Sequence, residues 1–124
     1  MSIECPIVSV VDNGEFVRES LTVLLRALGV AAYAFSSAEE FLSSNCADST
    51  RCLILDIEMP GMSGPELQQE LKLRGRQIPI VFITGQSDAT IRSEMLELGA
   101  VECLFKPFND TELICALNSA VHAK

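Results

Sequence analysis

The sequence predicts an α/β fold of about five βα units around one central parallel sheet with helices on both faces. Three observations predict it: continuous apolar runs of strand length, helical periodicity between them, and no internal repeat or low-complexity tract to interrupt the alternation. With 124 residues, 48% hydrophobic and 21% charged, the chain reads as one domain over 1–124. That length buries roughly two-thirds of the surface an unfolded chain would expose.

IVSVV (7–11) is the first strand. Val17, Leu21, Leu24 and Leu28 then recur at helical spacing, and Gly29 stops the helix. VAAYAF (30–35) is the second strand, and Ser37 with Glu40 has capping-box spacing for a short helix carrying Phe41 and Leu42. The polar stretch SSNCADSTR (43–51) reads as a loop. CLILD (52–56) is the third and most apolar strand. Ser63 and Glu66 announce the next helix, with Pro65 in its first turn, and Glu66, Glu70 and Arg74 stand four apart on its solvated side. IPIVFIT (78–84) is the fourth strand. Ile91, Met95 and Leu98 mark a helix stopped by Gly99. VECLF (101–105) is the fifth strand, and Leu113, Leu117, Ala120 and Val121 form the last helix, capped by Asn109 or Asp110.

Charge narrows the function classes. Nine Lys and Arg against seventeen Asp and Glu leave a net charge of -8, which repels a phosphate backbone and argues against direct nucleic-acid contact. No apolar run approaches the roughly 20 residues that span a bilayer, and Glu4 with no cation before Arg18 is unlike a secretory signal, so a cytoplasmic location is expected. Five cysteines (Cys5, Cys46, Cys52, Cys103, Cys115) show no CxxC spacing. They read as reduced thiols, with Cys52, Cys103 and Cys115 buried in apolar patterns.

In open α/β sheets the ligand crevice lies beyond the carboxyl ends of the strands. Those ends carry Asp12 and Asn13 after the first strand, Asp56 after the third, Thr84 after the fourth and Lys106 after the fifth. Singly, each is an ordinary cap, turn residue or solvated amine. Jointly, two acids, a hydroxyl and an amine converge on one rim, and Asp56 and Lys106 each cut short an apolar run where an unpartnered charge is costly.

These residues carry a resemblance over essentially the whole chain. VVDN (10–13), LDIEMPGMSG (55–64), FITG (82–85) and KPF (106–108), in this order and spacing, resemble the receiver domain of response regulators in bacterial two-component signalling, most closely receivers that precede helix-turn-helix output domains. The resemblance implies a flavodoxin-like strand order 2-1-3-4-5, the order the chemotaxis receiver illustrates, and a cis Lys106–Pro107 bond. It implies that Asp56 takes a phosphoryl group from a histidine kinase with Mg²⁺ held by Asp12, Asn13, Asp56 and the Glu58 carbonyl. Lys106 and Thr84 then hold phosphoryl oxygens. The product is a switch in the surface of the fourth helix, fifth strand and fifth helix, read by an output domain or partner, with phosphorylation-dependent homodimerisation as a family possibility. Beyond its own phosphotransfer and dephosphorylation, no enzyme activity is implied.

Two positions depart from the family. Asn13 stands where a second acid is usual, so weaker Mg²⁺ binding is expected, and its pairing with Gly14 favours deamidation. Cys103 stands where an aromatic switch residue is usual. Both departures motivate an alternative, a degenerate receiver that binds partners without phosphorylation. A haloacid-dehalogenase-type phosphatase would need a second Asp where Glu58 stands in Asp56-Ile57-Glu58 and an acidic pair after Lys106; neither is present. A flavin or nucleotide domain would need a Gly- or Ser-rich loop where DNGEF stands.

Overall fold

The computed structural model describes residues 7–86 and 88–121. Five parallel strands, β1 (Ile7–Val11), β2 (Ala31–Phe35), β3 (Thr50–Asp56), β4 (Ile80–Thr84) and β5 (Glu102–Phe105), form one sheet in the order β2-β1-β3-β4-β5. They alternate with α1 (Glu15–Ala27), α2 (Ala38–Ser43), α3 (Gly64–Leu73), α4 (Ala89–Glu97) and α5 (Asp110–Val121). This is the flavodoxin-like order.

The sheet is apolar on both faces because each face has its own helical cover. Val8, Val10, Ile54 and Ile83 pack with Leu21 and Leu25 of α1 and Leu113 and Leu117 of α5. Val11, Leu53, Leu55 and Phe82 pack with Phe41 of α2, Leu67 and Leu71 of α3 and Met95 of α4. Alternate residues of one strand serve opposite cores, which explains unbroken apolar runs such as LIL in β3.

Helix starts follow the side chains that cap them. Ser63 accepts from the Glu66 amide at 3.3 Å while the Glu66 carboxylate accepts from the Ser63 amide at 2.8 Å, a complete capping box. Asn109, rather than Asp110, caps α5: its side-chain oxygen accepts from the Glu112 amide at 2.8 Å, and the Glu112 carboxylate accepts from the Asn109 backbone amide at 2.9 Å. Ser37 caps α2, but Glu40 turns instead to the amide and hydroxyl of Ser36.

Several expectations need correction. Leu28 and Leu98 are not core residues of their helices; each is the exposed residue at the helix C-cap. Cys115 is exposed on α5, so only Cys52 and Cys103 of the three are buried; Cys5 lies outside the described residues. The stretch read as a loop before β3 forms a 3₁₀ turn over Cys46–Asp48 and supplies the first two residues of the strand, because the Thr50 hydroxyl bonds the Ser9 hydroxyl at 2.7 Å and the Cys46 carbonyl at 2.6 Å.

Candidate functional site

The ladder runs past the strand ends and fixes the residues there. The Asp12 amide donates to the Phe35 carbonyl, the Ile57 amide to the Ile83 carbonyl and the Lys106 amide to the Thr84 carbonyl at 2.7 Å. Backbone order therefore extends to the rim, and the side chains that follow β1, β3, β4 and β5 start from fixed positions.

Asp12 and Asp56 are 1% and 4% exposed. Between them stands Lys106, its Nζ 2.9 Å from Asp12 Oδ2 and 3.5 Å from Asp56 Oδ1. The other Asp12 oxygen accepts from the Gly14 amide at 2.7 Å. One ammonium thus serves two buried carboxylates. Burial pushes the Asp56 carboxyl up from 3.8 to about 6, and the charge of Asp12 pushes in the same direction; Lys106 and the Glu58 backbone amide offset part of it.

Thr84 is fully buried at the end of β4, and its hydroxyl accepts from the Gln86 amide at 3.1 Å. The Lys106–Pro107 bond is cis, as expected. Asn13 is exposed on the β1–α1 turn, and Glu58 is exposed on the loop after β3.

That loop is packed tightly against the strand it leaves. A Cβ on Gly64 would collide with the Asp56 carbonyl oxygen and lie 3.0 Å from Ile57 Cα and 3.1 Å from the Phe82 ring, so the start of α3 can approach Asp56 only with glycine there. The Gly64 amide closes the turn on the Ile57 carbonyl at 2.9 Å. Gly61, with φ +77, supplies the left-handed residue that the turn requires.

Three contributors escaped the sequence reading. Gln86 donates through its amide to the Glu58 carboxylate, tying the loop after β4 to the loop after β3 across the mouth of the site. Glu39, on α2, accepts from the Met62 amide at 3.1 Å and so holds the β3–α3 loop from outside. Arg18, on the second turn of α1, donates to the Asp12 carbonyl at 2.8 Å. All three act across distances in sequence or through backbone groups, and no local spacing signals them.

Cys103 is buried on the Phe82 side of the sheet, paired in register with Phe82 and packed in the core that includes Met95. Burial pushes its thiol up. It is a small core residue with no ring to rotate.

The donor set suits a hard cation. Two buried carboxylates share one ammonium, which leaves one negative charge between them, and oxygen donors are what Mg²⁺ takes while keeping several waters. Among the described residues no group of three or more His, Cys, Asp or Glu side chains is placed to hold a metal. Among the described residues no helix is long and apolar enough to cross a membrane.

Comparison with known proteins gives a consistent result. Residues 8–118 match the response regulator receiver domain. The chain is 45% identical over 114 residues to nodulation protein W of Bradyrhizobium diazoefficiens, covering 92% of this chain and 50% of the relative. It is 39% identical over 121 residues to response regulator protein TodT of Pseudomonas putida, covering 98% and 53%. The chain thus spans about half the length of these curated relatives. The crystal structure of FixJ-N superposes with a TM-score of 0.85 at 38% identity, covering 98% of each chain. The chain belongs to the response regulator receiver domain family of two-component systems.

Proposed function

We propose that residues 1–124 act as one receiver domain that takes a phosphoryl group onto Asp56 from a histidine kinase and relays the change to an output domain. The observation that carries this reading is a carboxylate only 4% exposed at the end of the central strand, sharing one ammonium with a second buried carboxylate.

An Asp56 carboxylate oxygen attacks phosphorus, the bond from phosphorus to the donor imidazole nitrogen breaks, and the imidazole keeps the electron pair. β3 holds the nucleophile, and the Glu58 amide and Lys106 orient its oxygens. Lys106, which already spans both carboxylates, is within reach of negative charge developing on the transferred group. The Thr84 hydroxyl accepts from the Gln86 amide, so its own proton is available to a phosphoryl oxygen. Mg²⁺, held by Asp12, Asp56, the Glu58 carbonyl and the Asn13 side chain, would neutralise phosphoryl charge when bound. Asn13 offers a neutral oxygen in that set, which predicts looser binding than a second acid would give.

Output follows from the relatives. One relative, from Azorhizobium caulinodans, is named a transcriptional regulatory protein, and this chain matches 54% of its length. Control of transcription through a separate output domain, in the cytoplasm and without nucleic-acid contact by this acidic domain, is the reading that fits. Asn13 favours a second reading, a degenerate receiver that only binds partners.

Intact-mass measurement after incubation with acetyl phosphate, with and without Mg²⁺, tests the proposal. One phosphoryl adduct on the wild type, dependent on Mg²⁺ and lost in Asp56→Asn, is expected. An unmodified wild type would favour the interaction module.

A further inference from the structure

β2 stands at one edge of the sheet, with β1 on one side and, among the described residues, no strand on the other. The Phe35 carbonyl accepts from the Asp12 amide and so faces β1. Backbone groups alternate in direction along a strand, so Ala32, Ala34 and Ser36 turn theirs outward. Charged side chains take two of these outward groups. Arg26, in the last turn of α1, donates through Nη2 to the Ala32 carbonyl at 3.1 Å, and the Glu40 carboxylate of α2 accepts from the Ser36 amide at 2.6 Å. Ala34 lies between them and is exposed, beside a groove of about 400 Å³ lined by Arg18, Thr22 and Val23 of α1.

The strand itself invites a partner. AAYAF carries no charge, and Tyr33 on the strand and Val23 beside it are exposed apolar surface. An uncharged edge of small side chains is a template for another strand unless something covers it. A second copy of β2 matches this one. Laid antiparallel about a two-fold axis at Tyr33, Ala32 of each copy stands opposite Ala34 of the other, and every outward amide of the pair meets a carbonyl. The Ala32 carbonyl accepts one bond in each such pair, and in both copies the Arg26 guanidinium already occupies that approach.

We infer that Arg26 guards the β2 edge: with its guanidinium on the Ala32 carbonyl the edge stays unpaired, and without it the edge takes β2 of a second copy. Glu40 closes the Ser36 end in the same way and limits how far such a pairing can run. The inference is independent of the chemistry at Asp56. A cation that served only the C-terminal end of α1 would act through stability alone. Its loss would weaken the fold and leave association unchanged.

Sedimentation velocity over a concentration series, without a phosphoryl donor, separates the two roles. The proteins compared are the wild type, Arg26→Met, Arg26→Lys, and Arg26→Met combined with Tyr33→Lys, with thermal unfolding of each measured alongside. Arg26→Met is similar in length but has no donor. It is expected to lower the concentration at which half the protein is dimeric by about tenfold or more, the scale of regaining both Ala32 carbonyl bonds at the interface. Arg26→Lys can still donate and should stay close to the wild type. Tyr33→Lys sets two like charges directly opposite each other on the axis and should return Arg26→Met to the wild-type value. Should Arg26→Met not fold, Arg26→Ala takes its place with the same expectation. An Arg26→Met protein that associates no more than the wild type overturns the inference, whatever its loss of thermal stability. So does an association that Tyr33→Lys leaves unchanged, because it would run through another surface.

Discussion

The two ends of the sheet treat polar groups differently. At the N-terminal end the buried polar side chains close their bonds with neutral partners. Ser9 and Thr50 share a hydroxyl bond at 2.7 Å, Thr50 reaches the Cys46 carbonyl, and Gln68 donates to the Leu98 carbonyl at 3.1 Å, as does the exposed Lys72. These bonds are neutral or solvent-screened, and they join elements without storing charge. At the C-terminal end Asp12 and Asp56 are just as buried and divide a single ammonium; burial first, and the charge of Asp12 after it, drive Asp56 up to about 6. Hydrogen-bonding capacity is met at both ends, since among the described residues no buried side-chain polar atom is left without a partner. What differs is electrostatic: one end holds neutral or screened bonds, and the other holds two buried carboxylates on one ammonium.

The largest expected effect comes from disturbing the loop that walls the charged end. Gly64→Ala puts a methyl group into the Asp56 carbonyl, and the neighbouring Ile57 backbone and Phe82 ring leave it nowhere to go. A loss on the order of 2–4 kcal/mol in denaturant unfolding is expected, from overpacking and forced backbone movement. A loss under about 0.5 kcal/mol would show that the loop is slack, since surface changes are on that scale.

Next in size, Asp56→Asn should stabilise the metal-free protein. The native state holds the Asp56 proton up to about 6, whereas the unfolded chain releases it near 3.8. Between those values the folded protein binds more protons than the unfolded one, so stability falls as pH rises through that window. The amide removes this cost while giving up part of the Lys106 pairing. A net gain of roughly 1–2 kcal/mol at pH 7 is expected, shrinking toward zero once pH falls below the unfolded value. Equal or lower stability at pH 7 would mean that Asp56 is fully compensated in the native state.

The N-terminal end should respond least. Ser9→Ala removes one partner of a shared hydroxyl bond, but Thr50 can still donate to the Cys46 carbonyl, so about 1 kcal/mol is expected with no change in Mg²⁺ affinity. A change in Mg²⁺ binding from this site would break the separation between the two ends.

Much of the working end was legible in the sequence because it interrupts a strong pattern. CLIL is followed by Asp56 and VECLF by Lys106, and a charge that ends a buried strand must be accommodated at the rim. The strand order and the cis Lys106–Pro107 bond came from family resemblance, since periodicity carries no information on either. Helical spacing overreached at C-terminal ends: Leu28 and Leu98 continue the apolar period, but each sits where the chain has already left the helix. Cys115 fell next to Leu113 and Ala116 in sequence, while a step of about 100° per residue turns it to solvent. Arg18, Glu39 and Gln86 were invisible for a different reason. Their partners are a backbone carbonyl, a backbone amide and a distant loop carboxylate, none of which leaves a mark on residue spacing.

The charged state of Asp56 is the point on which this contrast turns. Following its side-chain carboxyl carbon by NMR through a pH titration of the metal-free protein, in the wild type and in Asp12→Asn, measures it directly. A midpoint near 6 in the wild type that falls when Asp12 is neutralised is expected. A wild-type midpoint at the ordinary 3.8, unmoved by Asp12→Asn, would contradict it.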